Sequence, residues 1–496
     1  MTAPDAYSKL IDLSRELQLL QDTEALLSWD QETQMPRDGV AWRAEQMAWL
    51  GGEIHRRFTR PEVGDWIATC EGAGHADDSD EDANVREWRH AYDRATKVPA
   101  ELVEDFEKTR AIAKSAWAEA RKASDFAAFS PHLEKLIDLS RRKADCWGYQ
   151  TWTYDALLDE FERGANTGRL EALFDGLRPA LVAIAAEAFE REPFDSKKLE
   201  GHYPVAQQQA FNREVAEAVG FDFHAGRIDT AVHPFCTGLG PRDTRLTTRY
   251  DESDFRSSLF GVLHEAGHGM YDQGLRGDCH GQPIAKAVSL GVHESQSRLW
   301  ENHVGRSLAF WERWLPRAAA HFPHLAERTP EELYRAVNQA ERSHIRVEAD
   351  EVTYDLHIML RFEMETAIFN GDLAIADIPS EWNRRFRDLV GLEVKHDAEG
   401  CLQDIHWSLG IFGYFPTYSL GNLNASHLMA AAFRQQPGIE AQLGAGDYSG
   451  LLGWMREKIH RPGSRYLPDD LIARAAGSPA TPEAHLTHLR QRYLAS

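Results

Sequence analysis

Apolar residues three and four positions apart recur along most of this chain. They do so in LIDLSRELQLLQDTEALL at residues 10–27 and in LEALFDGLRPALVAIAAEAF at residues 170–189. This spacing places apolar side chains on one face of an α-helix, whereas a half-buried β-strand shows a period of two. The sequence therefore predicts a mainly α protein.

The length and composition are those of a globular protein with a sizeable core, since 43% of the 496 residues are hydrophobic. No domain boundary is evident, so we expect a single domain over residues 1–496. Its parts are an N-terminal helical part at about 1–221, a β-segment at 222–251, helices at 253–306 and a C-terminal helical part at 307–496.

The charge balance argues against two classes of partner. Lys and Arg number 55 against 78 Asp and Glu, a net charge of -23. A phosphate backbone or an anionic membrane would meet repulsion over most of such a surface. We therefore expect neither nucleic acid nor a membrane as a partner.

The N-terminal sequence and the cysteines favour the cytoplasm. The chain begins without a basic segment followed by an apolar run, and it contains no run of 18 apolar residues. The five cysteines are scattered, odd in number and without a CxxC pair, which indicates reduced thiols. They are Cys70, Cys146, Cys236, Cys279 and Cys401.

Residues 222–251 interrupt the helical pattern with Gly, Pro and Thr and contain short runs of β-propensity. We expect a small β-sheet there. A helix is predicted from about Ser253, and we expect it to end at Gly274, because Gly commonly takes the left-handed position after a helix.

That helix contains the sequence HEAGH, with His264, Glu265 and His268. Residues four apart project from the same helical face, so the two imidazoles could bind one metal ion from one side. Glu265 points slightly round the helix, where it could act as a general base on a water molecule beside the metal. The pattern is typical of a zinc hydrolase.

The third ligand is predicted from the residues that follow. A metzincin would have Gly at position 271 and His at position 274, but Tyr271 and Gly274 stand there. The helical stretch at 289–303 offers Glu294 on a second helix antiparallel to the first. His₂Glu with one open position is the set that a hydrolytic zinc site requires.

Two further side chains of this stretch have other predicted roles. His293 is the less favoured alternative ligand to Glu294. Glu301 lies two helical turns further on, and we expect it to support a ligand by hydrogen bonding.

Motifs outside HEAGH give the chain a family resemblance. They are SWDQETQMP at 28–36, HPF at 233–235, DTRLT at 243–247, HESQ at 293–296, IRVEAD at 345–350 and GCLQDIHW at 400–407. In content and order the sequence resembles the carboxypeptidase Taq family of zinc metallocarboxypeptidases over nearly its whole length.

The resemblance implies His264, His268 and Glu294 as zinc ligands and Glu265 as the catalytic residue. It also implies a large helical body with a deep active-site cleft, homodimers, and removal of single C-terminal residues from peptides with broad preference. We expect one Zn²⁺ per chain, for which Co²⁺ could substitute.

IRVEAD supplies candidates for substrate binding, Arg346 and Asp350. We expect them on one long helix, roughly 330–369, where residues four apart could simply form an ion pair. The resemblance instead favours substrate contact. A guanidinium can recognise the terminal carboxylate of a peptide with two parallel hydrogen bonds.

Residues 403–422 read as a loop and a short helix that carry three candidates for stabilising an oxyanion: His406, Tyr414 and Tyr418. Zinc peptidases commonly use His or Tyr for this purpose, and we favour Tyr418. Core packing is the alternative for the neighbouring Trp407 and Phe412.

The β-segment contains His233 and Arg245, which could orient an extended peptide along an edge strand. The alternative there is a turn stabilised by Asp243 and Pro234. The function predicted from the sequence is a zinc metallocarboxypeptidase. An endo-acting zinc oligopeptidase and a non-catalytic peptide-binding protein with structural zinc remain as alternatives.

Overall fold

A computed structural model describes residues 1–495. Its α-helices are α1 Ala3–Thr33, α2 Val40–Phe58, α3 Pro61–Ala73, α4 Asp80–Lys97, α5 Ala100–Ala123, α6 Phe126–Trp147, α7 Thr153–Leu158, α8 Thr167–Phe189, α9 Val205–Val219, α10 Phe255–Gly274, α11 Leu290–Arg298, α12 Leu308–His321, α13 Pro330–Val337, α14 Glu351–Asn370, α15 Ile378–Val390, α16 Pro416–Gln435, α17 Gly438–Gly444, α18 Ser449–Met455, α19 Pro468–Ala476 and α20 Pro482–Tyr493. The strands are β1 Gly226–Thr230, β2 Cys236–Gly238 and β3 Thr244–Thr248.

The prediction of a mainly α protein with one small sheet is confirmed. The two stretches with the clearest helical spacing lie in α1 and α8. None of the helices within residues 1–495 is both long enough and apolar enough to cross a membrane.

The chain forms two compact units. The first contains Met1–Ala95, Phe194–Val337 and Asn424–Ala480, and the second contains Thr96–Pro193, Asn338–Leu423 and the segment from Thr481 onwards. Each has its own buried apolar core, and the first has a further small one within residues 6–88. A single domain over residues 1–496 stays a prediction.

The sheet of the first unit has the strand order β1-β3-β2. β1 runs parallel to β3, with Gly226 opposite Thr244, and β2 runs antiparallel to it, with Cys236 opposite Leu246. Leu246 on the central strand is buried and meets α10 near Gly269, where a Cβ atom would lie 2.9 Å from Leu246 Cδ2. The sheet therefore supports one side of α10.

The end of α10 differs in detail from the prediction. Gly274 is the last helical residue, and it is not among the glycines with positive φ. A glycine is needed because a Cβ atom there would overlap the ring of His460. The helix ends where predicted, but its last residue is glycine because of this packing and not because of a left-handed conformation.

The predicted helix over 330–369 is wrong. α13 ends at Val337, Arg346–Glu348 form a single 3₁₀ turn, and α14 begins only at Glu351. Asp350 is the N-cap of α14 and accepts hydrogen bonds from the backbone N–H groups of Val352 and Thr353. A capping Asp favours a helix start at this point.

Candidate active site

α10 positions the two histidines of HEAGH on one face. Its N-cap Asp254 accepts a hydrogen bond from the backbone of Arg256. The ring centroids of His264 and His268 lie 4.9 Å apart, with an interplanar angle of 82°. The predicted one-sided placement of the imidazoles is present.

Glu294 on α11 meets these histidines. Its Oε2 lies 3.7 Å from Nε2 of His264 and 3.5 Å from Nε2 of His268. Tetrahedral zinc with bonds of about 2.0–2.1 Å needs ligand atoms roughly 3.3 Å apart. Both distances from Glu294 Oε2 are thus close to the spacing of a zinc site. The ligand atoms of the three residues lie within 4.8 Å of one another, which fits a metal ion.

The carboxylate of Glu301 lies beside the ring of His264. His264 Nδ1 lies 2.9 Å from Glu301 Oε2. Glu301 lies in a π-helical turn, Leu299–Gly305, that continues α11. Although burial raises the pKa of Glu301, the hydrogen bond with His264 and the nearby Arg298 lower it to about 2. A charged carboxylate here fixes the ring of a candidate metal ligand.

His268 lies against the ring of His293. The two ring centroids are 4.4 Å apart and nearly parallel, at 20°. Burial and the charge of His293 lower the pKa of His268 to about 4, which keeps its imidazole neutral and able to bind a metal. His293 Nε2 is 3.5 Å from Asp272 Oδ1. The three residues whose ligand atoms are close enough to share a metal ion, here called the ligand-spaced residues, are His264, His268 and Glu294, and His293 is not among them.

Glu265 follows His264 on α10 and is only 5% exposed. Burial raises its pKa to about 7, against the opposing charge of His264. It is not one of the three ligand-spaced residues. A carboxyl group with a pKa near neutrality suits proton transfer.

Sequence reasoning missed three neighbours of the site. Arg298 donates from Nε to Glu294 Oε1 over 2.7 Å, and Cys236 Sγ lies 3.9 Å from Asp272 Oδ2. Helical spacing was an available signal for two of them, because Arg298 lies four residues after Glu294 and Asp272 four after His268.

The β-segment candidates in the first unit have other contacts. Arg245 donates to both carboxylate oxygens of Asp243, over 2.9 and 2.8 Å, and its guanidinium lies 4.2 Å from the Trp29 ring centroid. It lies on central β3 and not on an edge strand, while His233 is exposed just before edge strand β2. The two residues therefore do not share an edge.

Arg346 belongs to the second unit and pairs with Asp404, not with Asp350. Its Nε and Nη2 donate to Asp404 Oδ1 over 3.0 and 2.8 Å, and its Nη1 donates to Tyr354 over 2.8 Å. The other oxygen of Asp404 accepts from Arg361, whose side chain is fully buried. Burial raises the pKa of Asp404, but the charges of Arg361 and Arg346 bring it far below its usual range.

The three oxyanion candidates lie together in the second unit. His406 Nε2 is 3.5 Å from the Tyr418 hydroxyl, and the rings of Tyr414 and Tyr418 are 5.3 Å apart. The Arg346 guanidinium lies 5.0 Å from the Tyr418 ring centroid. Burial lowers the pKa of His406 to about 4, so its ring is neutral near pH 7.

The structure corrects part of the 403–422 prediction. A 3₁₀ turn, His406–Leu409, is followed by the long helix α16, which contains Tyr418. Trp407 and Phe412 are 5% and 2% exposed and pack in the core, which is the alternative that the sequence analysis gave for them.

Comparisons with known proteins extend to the whole chain. The family described as carboxypeptidase Taq (M32) metallopeptidase matches residues 9–493. Thermostable carboxypeptidase 1 of Thermus thermophilus is 42% identical over 510 residues, covering 100% of this chain and 99% of that protein. Carboxypeptidase 1 of Bacillus subtilis is 36% identical, covering 98% of both.

The fold agrees with solved structures. The M32 carboxypeptidase from Deinococcus radiodurans R1 has a TM-score of 0.96 and 39% identity over 99% of both chains. A Pyrococcus furiosus carboxypeptidase structure gives 0.96 and 33% identity, again over 99% of both. The chain therefore belongs to the carboxypeptidase Taq (M32) metallopeptidase family and is a metallocarboxypeptidase that acts on peptides.

Proposed function

We propose that the protein is a zinc-dependent carboxypeptidase that removes single C-terminal residues from peptides with broad preference. The observation that carries this proposal is that Glu294 Oε2 lies 3.7 Å from His264 Nε2 and 3.5 Å from His268 Nε2, so that the three side chains could share one metal ion. We propose one Zn²⁺ per chain, replaceable by Co²⁺.

The donor types support zinc over harder cations. Two imidazole nitrogens and one carboxylate oxygen form a set typical of catalytic zinc, whereas Mg²⁺ and Ca²⁺ prefer oxygen ligands. Zinc held there supplies Lewis acidity, polarising a carbonyl group and lowering the pKa of a water molecule to about 7.

Glu265 is the proposed general base. Its buried carboxylate takes a proton from the attacking water and returns it to the leaving amine. The pKa of about 7 that burial gives it supports both steps, since the group can hold and release a proton near neutrality.

We propose that residues other than the three proposed metal ligands recognise the peptide. Arg346 would bind the terminal carboxylate, and Tyr418, with His406 and Tyr414, would donate hydrogen bonds to the oxyanion. Their mutual proximity in the second unit supports a shared role.

Weaker proposals concern the remaining substrate contacts. His233, Arg245 and Asp350 stay candidates for orienting the peptide. The hydrogen bonds of Arg245 to Asp243 and the capping role of Asp350 give both a structural role as well.

A homodimer and a cytoplasmic location are also proposed. All five cysteines are free thiols, which supports a reducing compartment. Sedimentation of the purified protein would establish the oligomeric state.

Incubation with one unblocked peptide, followed by mass spectrometry, tests the activity. We expect a ladder shortened one residue at a time from the C-terminus. Internal fragments would instead establish an endo-acting oligopeptidase. A complete lack of cleavage with zinc or cobalt supplied would favour a non-catalytic peptide-binding protein.

A further inference from the structure

The two carboxylate oxygens of Glu294 have different surroundings. Oε2 faces the Nε2 atoms of His264 and His268, at 3.7 and 3.5 Å. Oε1 instead accepts a hydrogen bond of 2.7 Å from Nε of Arg298. The carboxylate thus presents one oxygen to the imidazoles while a guanidinium holds the other.

Arg298 is well placed to fix this orientation. It lies one helical turn after Glu294 on α11, and the side chains of the pair are only 15% and 10% exposed. Charge-assisted hydrogen bonds are stronger than neutral ones, and little surrounding water competes with this one. Turning the carboxylate so that both oxygens faced the imidazoles would break the bond.

The same guanidinium reaches the second carboxylate of the network. Arg298 Nη1 lies 3.6 Å from Glu301 Oε2, the oxygen that contacts His264 Nδ1. One cation therefore borders both the proposed carboxylate ligand and the carboxylate that orients an imidazole ligand.

We infer that Arg298 is a positioning residue that keeps Glu294 a ligand through one oxygen. A carboxylate bound through both oxygens would occupy a coordination position that water or the scissile carbonyl needs. This inference rests on the proposed function, because it requires a metal at His264, His268 and Glu294.

The test uses the full-length protein, stripped of metal and titrated with Co²⁺, whose visible absorption weakens as its coordination number rises. In Arg298→Met we expect full cobalt binding with weaker visible absorption. We also expect turnover to fall about ten- to a hundredfold, which is typical when a residue that hydrogen-bonds to a metal ligand is replaced, with KM nearly unchanged. Arg298→Leu, which also lacks any side-chain donor for Glu294, carries the same expectation if the Met variant does not fold.

Two further variants test whether the effect depends on the position of the Arg298 hydrogen-bond donor or only on its positive charge. Arg298→Lys keeps the cation but lacks the Nε donor, so we expect it to restore neither the spectrum nor turnover. Arg306→Met is the matched control, because Arg306 donates to the other oxygen of Glu301 over 3.1 Å. We expect it to retain the wild-type cobalt spectrum.

Three results would overturn the inference: a wild-type spectrum in Arg298→Met, full rescue by lysine, or the same spectral change in Arg306→Met. Each leaves the proposed function standing. If the wild-type protein takes up no cobalt through His264, His268 and Glu294, the proposed function itself fails, and the inference fails with it.

Discussion

At the scale of single residues, the two histidines of the ligand-spaced set, His264 and His268, are held by different kinds of neighbour. A carboxylate holds His264 through Nδ1, and the ring of His293 packs against His268. His264 is thus held by a hydrogen bond and His268 by ring packing. Such contacts fix the direction in which each imidazole ring points.

Glu265→Gln should keep the metal and lose nearly all turnover. The substitution removes the proton acceptor but preserves the size of a side chain that is not one of the three ligand-spaced residues. Metal analysis after dialysis, together with peptide hydrolysis, provides the measurement. If metal content falls in step with activity, Glu265 belongs to the coordination set.

Glu294→Ala and His293→Ala should differ in metal affinity. Loss of Glu294 removes a proposed ligand atom, whereas loss of His293 removes a ring packed against His268. We therefore expect the larger loss in Glu294→Ala, measured by competition with a chelator. The opposite ranking would make His293 the ligand.

At the scale of elements, the site depends on the close approach of α10 and α11. A Cβ atom at Gly267 would lie 2.5 Å from the carbonyl oxygen of Gln296 and 2.6 Å from Cα of Ser297. Both obstacles are backbone atoms, which cannot rotate away. Gly267 therefore allows the helix that carries Glu294 to lie beside the two histidines.

Gly267→Ala should destabilise the first unit by about 1–3 kcal/mol, because the methyl group forces the two helices apart. Metal affinity should fall as well, since Glu294 moves with α11. Gly453→Ala in α18 is the control within the same unit, because a Cβ atom there meets nothing within 4 Å. Urea unfolding of both variants provides the comparison, and equal stability would contradict the packing argument.

Local spacing predicted the HEAGH helix and the shared face of His264 and His268, because both depend on residues four apart in one element. The same reasoning failed for residues 330–369, where the chain leaves the helix between Val337 and Glu351. Arg346 there bonds to Asp404, 58 residues away in sequence. Periodicity cannot reveal a partner so distant.

At the scale of the whole chain, each unit contains a cluster of buried or half-buried ionisable side chains. The second unit buries Arg346 and Arg361 around Asp404. In the first unit Glu294 and Glu301 lie against His264, and buried Glu265 follows it in the chain. Removing one partner from such a cluster leaves an uncompensated charge. Substitutions that test recognition must therefore be checked for stability.

Arg346 offers the test that distinguishes trimming of a peptide end from cleavage within the chain. If Arg346 binds the terminal carboxylate, the charge-assisted bond contributes about 1.5–3 kcal/mol, or roughly ten- to a hundredfold in binding. C-terminal amidation removes that partner. The wild-type enzyme should strongly prefer a free-acid peptide over its amidated counterpart.

Arg346→Ala should erase most of this preference while metal stays bound. The change also removes one partner of Asp404, although Arg361 still donates to that carboxylate. Asp404→Asn is the matched control, since it disturbs the same cluster and keeps the Arg346 guanidinium, so much of the preference should survive. The measurement is the ratio of kcat/KM for the two peptides in each folded variant. A full preference for free acid in Arg346→Ala would mean that another cation binds the carboxylate, and Arg245 would be the next to replace.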